Sequence, residues 1–311
     1  MLNKSFWKNK NVLITGHTGF KGAWLSLVLQ NLNANVVGVS LMPPTSPNLF
    51  EISNVADGMI STIEDIRNIA KIKKIFNEFK PEIVFHLAAQ SLVLRSYEDP
   101  LETLSTNILG TANLFECTRD SSVKAFINVT SDKCYENNND ENSFKEEDRM
   151  GGDDLYSCSK GCSELITNAY RKSFFEASNC NIASVRAGNV LGGGDWAANR
   201  VIPDLLKSIE SKSTFVIRNP NSTRPWQHVL EPLSGYIMLA QKLFDSEKSE
   251  WNEGWNFGPK DEDCKPVNWI LDQMVKAWGN NASWSLDKNN NPHEAGFLKL
   301  DCSKASQKLS W

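Results

Sequence analysis

The sequence has 311 residues, room for roughly two domains of ~150 residues each and for a substantial core. Hydrophobic residues at 41%, charged residues at 23%, 18 Gly and 12 Pro exclude a collagen-like or wholly disordered chain. Lys and Arg total 33 against 37 Asp and Glu, a formal net charge of −4, which argues against a generic nucleic-acid binder.

At the amino end the Leu13-Ile14 run follows lysines and is cut by Thr15-Gly16, so no signal-peptide pattern forms. Asn11 to Thr15 reads as a buried strand, and Lys21 to Leu32 carries apolar residues at helical spacing. A strand follows at Val36 to Val39, a helix at Ile66 to Phe79, and a strand at Ile83 to Leu87. Next come a helix from Leu101 to Cys117 and a strand from Ala125 to Thr130. Strands apolar on both faces, alternating with helices, predict a parallel sheet covered on both sides. Glu136 to Asp154 holds eight acids and two bases and reads as a surface loop. A helix from Tyr156 to Phe175 and a strand from Ile182 to Val185 follow, then irregular Trp-, Pro- and Arg-rich segments, then a helix from His228 to Leu243.

The fold expected is α/β: a Rossmann-type doubly wound sheet over 1–187 and about 225–257, with a smaller α/β substrate domain from 188–224 and 258–311. The seven cysteines are odd in number and lack a Cys-x-x-Cys pair, so they read as reduced thiols. No run reaches the ~18 apolar residues of a membrane span, and a reducing cytoplasm is the expected location. The four histidines, His17, His86, His228 and His293, lack metal-ligand spacing, and no metal is expected.

Two motifs carry chemistry. Gly16-His17-Thr18-Gly19-Phe20-Lys21-Gly22 follows the first strand and opens the first helix, where glycines permit a tight turn and close approach of a pyrophosphate to the helix N-terminus. Tyr156 and Lys160 are spaced i, i+4, so an ammonium sits beside a phenol on one helix face. A free phenol titrates near ~10; a fixed cation with an oxidised nicotinamide brings it toward a base at neutral pH. Ser131 ends the preceding strand.

With these residues, and with Asp65-Ile66, His86-Leu87-Ala88-Ala89-Gln90 and Asn107-Ile108-Leu109-Gly110-Thr111, the chain from residue 11 onward resembles the extended short-chain dehydrogenase/reductase family. Within it, the blocks Ser131-Asp132-Lys133-Cys134-Tyr135, Gly193-Gly194-Asp195-Trp196, Arg224-Pro225-Trp226-Gln227-His228 and His293-Glu294 resemble the branch of CDP-glucose 4,6-dehydratases. The resemblance implies a Rossmann domain, NAD as cofactor, CDP-glucose as substrate, a homodimer through the helices 101–117 and 156–175, and no nucleic-acid or membrane partner. It also implies that Tyr156 takes the O4 proton, with Ser131 bonding O4 and Lys160 holding phenolate and ribose. Asp132 and Lys133 are then the elimination pair, acid to the C6 oxygen and base at C5, the lysine requiring a depressed pKa to which Lys160 contributes.

The resemblance further places Gly16 to Gly22, Asp65, Ile66, Leu87, Ala88, Ala89, Asn107, Thr130, Tyr156, Lys160 and Arg186 around the dinucleotide. It places Gln90, Ser131, Asn189, Asn199, Arg200, Arg218, Arg224, Trp226 and His293 around the nucleotide sugar. Three departures stand out. Val39-Ser40-Leu41-Met42 lacks the acid that normally grips the adenosine ribose, His17 is bulky for a phosphate turn, and the chain ends at Leu309-Ser310-Trp311, about a strand and a helix before the family's usual end. The alternatives left by the sequence are a nucleotide-sugar 4-epimerase, a dehydratase of another nucleotide sugar, and an NAD-sensing Rossmann protein without turnover.

Overall fold

In a computed structural model, residues 2–139, 141–247, 249–279, 282–289 and 295–311 are described. The strands in chain order begin with β1 (Asn11–Thr15), β2 (Asn35–Ser40), β3 (Ile60–Ile63), β4 (Ile83–His86), β5 (Ala125–Val129) and β6 (Asn181–Ala187). Short strands follow: β7 (Val190–Leu191), β8 (Phe215–Ile217), β9 (Thr223–Pro225) and β10 (Gln227–His228). β11 (Gly254–Phe257), β12 (Cys264–Pro266) and β13 (Trp284–Leu286) complete the set. One seven-stranded sheet runs in the order β11-β6-β5-β4-β1-β2-β3, with every pairing parallel. The fold is thus the doubly wound Rossmann type. The order reverses between β1 and β4, which opens a crevice beyond their carboxyl ends.

Period-two alternation sends neighbouring residues of one strand into two cores. From β1, Val12 and Ile14 pack with Leu25, Leu29 and Leu239 on one face, while Leu13 packs with Ile72, Phe76 and Leu114 on the other. The helices Phe20–Asn31 and Leu230–Asp245 cover the first face; Ile69–Phe79 and Gly110–Arg119 cover the second. β4 and β5 are buried along their whole length, as continuous apolar runs require.

A separate core joins Leu205, Ile209, Phe215, Trp226, Val267, Leu271 and Ala282. Its elements are the helices Val201–Glu210 and Val267–Trp278 with the small parallel pair β8 and β13. Trp226, assigned from sequence to the large unit, belongs to this small core, and its indole N–H donates to the Lys265 carbonyl at 2.9 Å. The carboxyl end does the opposite. Ala305, Leu309 and Trp311 pack into the sheet core, and the Trp311 indole donates to the Glu231 carbonyl at 3.1 Å and the Ser234 hydroxyl at 3.0 Å.

Other boundaries also shift. β3 is the sheet edge, with Ile60 and Ile63 exposed, so periodicity did not mark it. The helix expected over 101–117 is broken into Pro100–Leu104, a π-helical turn Ser105–Leu109, and Gly110–Arg119. The Tyr156–Phe175 helix runs as Leu155–Tyr170 and then widens into a π-helical turn at Arg171–Phe175. Ile66 precedes its helix, which starts at Ile69 after Asn68 caps the Lys71 N–H.

Candidate active site

The crevice is floored by the glycine-rich turn. Gly16 has φ +79°, and a Cβ there would lie 2.8 Å from the Ala88 nitrogen, so β1 and the segment after β4 meet backbone to backbone. A Cβ at Gly22 would lie 2.0 Å from the Gly16 carbonyl oxygen, which fixes the helix against the turn. The helix Phe20–Asn31 begins at Gly19 with no side-chain cap, leaving its first N–H groups directed at the switch point. An uncapped helix N-terminus behind a backbone-only turn fits a diphosphate, as NAD requires.

His17 does not line this cradle with its ring. It is fully buried over Gly38, edge-on to Phe50, with Nε2 2.7 Å from the Ser61 hydroxyl. Burial holds it neutral, its pKa pushed down to about 4. At the end of β2, where an acid would meet a ribose, the Thr18 hydroxyl lies 2.8 Å from the Ser40 hydroxyl and donates to the Leu41 carbonyl at 2.9 Å. Asp65 is gripped bidentately by Arg67, Nη2 on Oδ2 at 2.6 Å and Nε on Oδ1 at 3.0 Å, which holds its carboxyl below the usual range.

Across the crevice lies the catalytic helix. Asp154 caps it by accepting the Ser157 N–H at 2.9 Å, which sets Tyr156 in the first turn and Lys160 one turn later. Both are buried. The Lys160 ammonium donates to the Val129 carbonyl at 3.3 Å at the end of β5, and burial lowers its pKa to about 8. Burial raises the Tyr156 phenol to about 12, while a hydrogen bond with Ser131 pulls it down and the Asp132 charge pushes it up.

Ser131 opens the short turn Asp132–Cys134. Its oxygen accepts the Lys133 N–H at 3.3 Å, and its hydroxyl donates to Asp132 Oδ1 at 3.0 Å. Asp132 is buried, and its second oxygen, Oδ2, has no hydrogen-bond partner. A buried, half-satisfied carboxylate is costly unless something else meets it there. Lys21 faces the same space: burial first, then the charges of Arg200 and Lys160, bring its pKa down to about 8, with Asp132 opposing. The structure therefore brings Ser131, Asp132, Tyr156, Lys160, Lys21 and Arg200 together. Lys133 opens onto an adjacent recess lined by Val93, Asn137, Asp154, Ser157 and Leu298.

Several residues expected at the ligands are committed elsewhere. Arg186 is buried and makes two bonds to Glu164, both at 2.9 Å, and a third to the Tyr135 oxygen at 2.6 Å, so it is an internal ion-pair partner and not a cofactor contact. The Thr130 hydroxyl donates to the same Glu164 at 2.5 Å. Asn107 accepts the Gln90 N–H at 2.8 Å and donates to the Gln90 carbonyl and the Ser159 hydroxyl, which engages its amide at both ends. Gln90 itself donates to Leu92 and Thr103 and accepts the Leu92 N–H at 2.6 Å. These two residues shape the loop after β4. Trp226 is core, as described above. Ile66 is buried against Gly110, where a Cβ would lie 2.5 Å from its Cδ1.

Among the substrate candidates, Arg200 reaches Asp195 at 3.3 Å, and buried Arg224 gives one nitrogen to the Thr223 carbonyl at 2.9 Å. Asn189 lies on the loop after β6, its carbonyl accepting the Gln227 N–H at 3.2 Å, while Asn199 is exposed with φ +61°. Arg218 is half-buried. His293 lies outside the described residues. Sequence reasoning passed over Gln227, whose buried Oε1 has no partner while its Nε2 donates to the Phe257 carbonyl at 2.9 Å. It also passed over Glu164, whose signal was its place one helical turn beyond Lys160.

A family model described as GDP-mannose 4,6 dehydratase matches residues 13–311. The CDP-glucose 4,6-dehydratase of Salmonella typhimurium is 56% identical over 317 residues, covering 100% of this chain and 88% of that protein. The dTDP-glucose 4,6-dehydratase of Haemophilus influenzae is 23% identical over 325 residues, covering 97% and 92%. Among solved structures, UDP-glucuronic acid 4-epimerase from Bacillus cereus, in complex with UDP-glucuronic acid and NAD, superposes with TM-score 0.83 at 22% identity, covering 96% of this chain and 93% of that one. A dTDP-glucose 4,6-dehydratase from Streptomyces venezuelae superposes with TM-score 0.80 at 19% identity, covering 96% and 91%. The chain belongs to the GDP-mannose 4,6-dehydratase family.

Proposed function

We propose that this chain is an NAD-dependent hydro-lyase that converts CDP-D-glucose to CDP-4-dehydro-6-deoxy-D-glucose and water. The observation that carries the reading is Asp132: a buried carboxylate oxygen without a partner beside the Ser131–Tyr156 pair supplies the acid that dehydration needs and simple epimerisation does not. The 56% identity to the Salmonella enzyme over the whole chain supports the cytidine nucleotide. The uncapped helix at the glycine turn would hold the NAD diphosphate, and Lys160 its ribose. When bound, the nicotinamide supplies a two-electron store, filled as C4 is oxidised and emptied as C6 is reduced.

Tyr156 takes the O4 proton, with Ser131 hydrogen-bonded to its oxygen. The C4 ketone acidifies C5, Lys133 removes the C5 proton and later returns it, and protonated Asp132 releases the C6 oxygen as water. Ser131 lies between Tyr156 and Asp132, so the proton taken at O4 has a bonded route to the leaving oxygen. Arg200, Arg218 and Arg224 are assigned to the substrate diphosphate and base, as fixed donors suit. Within the described residues no helix is long and apolar enough to cross a membrane, and we place the enzyme in the cytoplasm. Exposed Leu101, Leu109 and Leu165 on the helices flanking the crevice are the apolar surface of the proposed homodimer.

The test is incubation of the protein with CDP-glucose and catalytic NAD in deuterated water. A 4-keto-6-deoxy product labelled at C5 is the expected outcome. CDP-galactose in its place would establish an epimerase, and product only from dTDP-glucose or GDP-mannose would reassign the nucleotide.

A further inference from the structure

The turn Ser131–Cys134 is tied down at both ends by one buried ion pair. On its amino side, the Thr130 hydroxyl donates to Glu164 Oε1 at 2.5 Å. On its carboxyl side, the Tyr135 oxygen accepts from Arg186 Nη1 at 2.6 Å and its hydroxyl donates to Asn256 Oδ1 at 2.7 Å. Glu164 and Arg186 close on each other through two bonds of 2.9 Å, with both side chains at most 5% exposed. Glu164 also accepts the Ser184 hydroxyl at 2.6 Å, so its carboxylate is saturated. The Tyr135 ring is stacked on Phe144 at 4.8 Å and lies against the Arg186 guanidinium at 5.0 Å.

Glu164 stands one helical turn beyond Lys160 and two beyond Tyr156. The pair therefore joins the turn that carries Ser131, Asp132 and Lys133 to the helix that carries Tyr156 and Lys160. A second feature fixes the same spacing. At Gly161, next to Lys160, a Cβ would lie 3.2 Å from the Cys134 carbonyl oxygen and 2.7 Å from that of Gly151, so the turn rests directly on bare helix backbone. Neither Glu164 nor Arg186 is in reach of substrate through a free atom. Their bonds run to the turn, to β6 and to the loop at Glu146, whose carbonyl accepts from Arg186 at 3.0 Å.

We propose that the Glu164–Arg186 pair, acting through Thr130 and Tyr135, is a positioning device that sets the elimination groups Asp132 and Lys133 in register with Tyr156 and Lys160. This rests on the dehydratase reading. Oxidation at C4 is served mainly by the helix residues, whereas elimination needs the far end of the turn, so loosening the Tyr135 tether separates the two half-reactions. A displacement of an ångström is enough to cost about a hundredfold in such a step.

Tyr135→Phe keeps the stacked ring and the ion pair but removes the oxygen that Arg186 holds. For the wild-type protein and this variant, dehydration of CDP-glucose, C5 exchange with deuterated water, the absorbance of reduced nicotinamide in a single turnover, and backbone hydrogen exchange over residues 130–136 are measured. Expected for the variant are kcat lowered by about tenfold to a hundredfold with KM nearly constant, C5 exchange lowered in parallel, reduced nicotinamide accumulating, and faster amide exchange in the 130–136 segment. Arg186→Lys, which keeps the charge and loses the fork, shows the same pattern. Equal loss of C4 oxidation and elimination, or unaltered kinetics, overturns the proposal. So does unchanged amide exchange. A wild-type protein that makes no keto sugar from CDP-glucose sinks the dehydratase reading instead, and this inference with it.

Discussion

Asp132 Oδ2 lies against Gly188, where a Cβ would come within 2.7 Å of it. The first residue after β6 thus leaves room for the carboxylate on β5's turn. Gly188→Ala, whose Cβ would also come within 2.3 Å of the Pro225 ring, is expected to displace that oxygen and lower kcat for dehydration by about tenfold or more, with a smaller change in KM. Steady-state kinetics separate the two: a KM rise at constant kcat would assign Gly188 to substrate binding.

In the proposed mechanism Lys133 and Asp132 have separable duties. Lys133→Ala is expected to abolish deuterium incorporation at C5 while reduced nicotinamide still forms. Asp132→Asn is expected to let C5 exchange proceed while water loss stalls. Full turnover with C5 exchange in Lys133→Ala would remove the lysine from the base role.

Acid stability follows from two neutral histidines. The His86 ring is spanned by Thr15 at 2.7 Å and Thr111 at 3.0 Å. Thr111 spends its own proton on the Asn107 carbonyl, so Nε2 of His86 carries the hydrogen and Nδ1 accepts from Thr15. Burial, with Lys160 adding, pushes its pKa down to about 3, and His17 sits at about 4. Below the ordinary histidine value of 6.5 the unfolded chain gains protons that the folded one refuses, so stability is intact above that pH and falls as pH drops toward 4. Each histidine contributes a slope of about 1.4 kcal/mol per pH unit inside that window. Urea midpoints across the window should fall for the wild type and fall less steeply for His86→Gln; parallel slopes would show that His86 is not the titrating group.

His17 and Gly38 are a matched pair. A Cβ on Gly38 would lie 2.3 Å from the His17 ring, so Gly38→Ala is expected to cost about 1–3 kcal/mol by overpacking. The double variant with His17→Ala should recover part of that loss. Additive thermal shifts in the four-protein cycle would show that the two do not interact.

The parts of the fold that could be read from sequence are those where one physical effect dominates. β1, β4 and β5 are buried on both faces and are written as short, mostly apolar runs; β3 is an exposed edge and carries no such signature. Tyr156, Lys160, Ser131 and Asp132 converge because a helical turn and a strand end fix their spacing. Arg186 misled because an arginine near a dinucleotide turn and an arginine closing an internal ion pair are the same letter, and only the position of Glu164 on the neighbouring helix decides. Asn107 and Gln90 were likewise read as ligand contacts, although the Asn107 amide is bonded to the Gln90 backbone and the Gln90 amide to Leu92 and Thr103, the former a relation set by the π-helical turn that no periodicity foretells.

The return of the carboxyl end to the sheet core bears on mechanics. The chain leaves the large unit after β6, comes back at Val229, leaves again after β11, and docks once more at Ala305 and Trp311. The small unit is therefore stitched to the large one at four crossings. A single peptide cut in the exposed Asp261–Asp263 turn therefore leaves both pieces with segments docked in each unit.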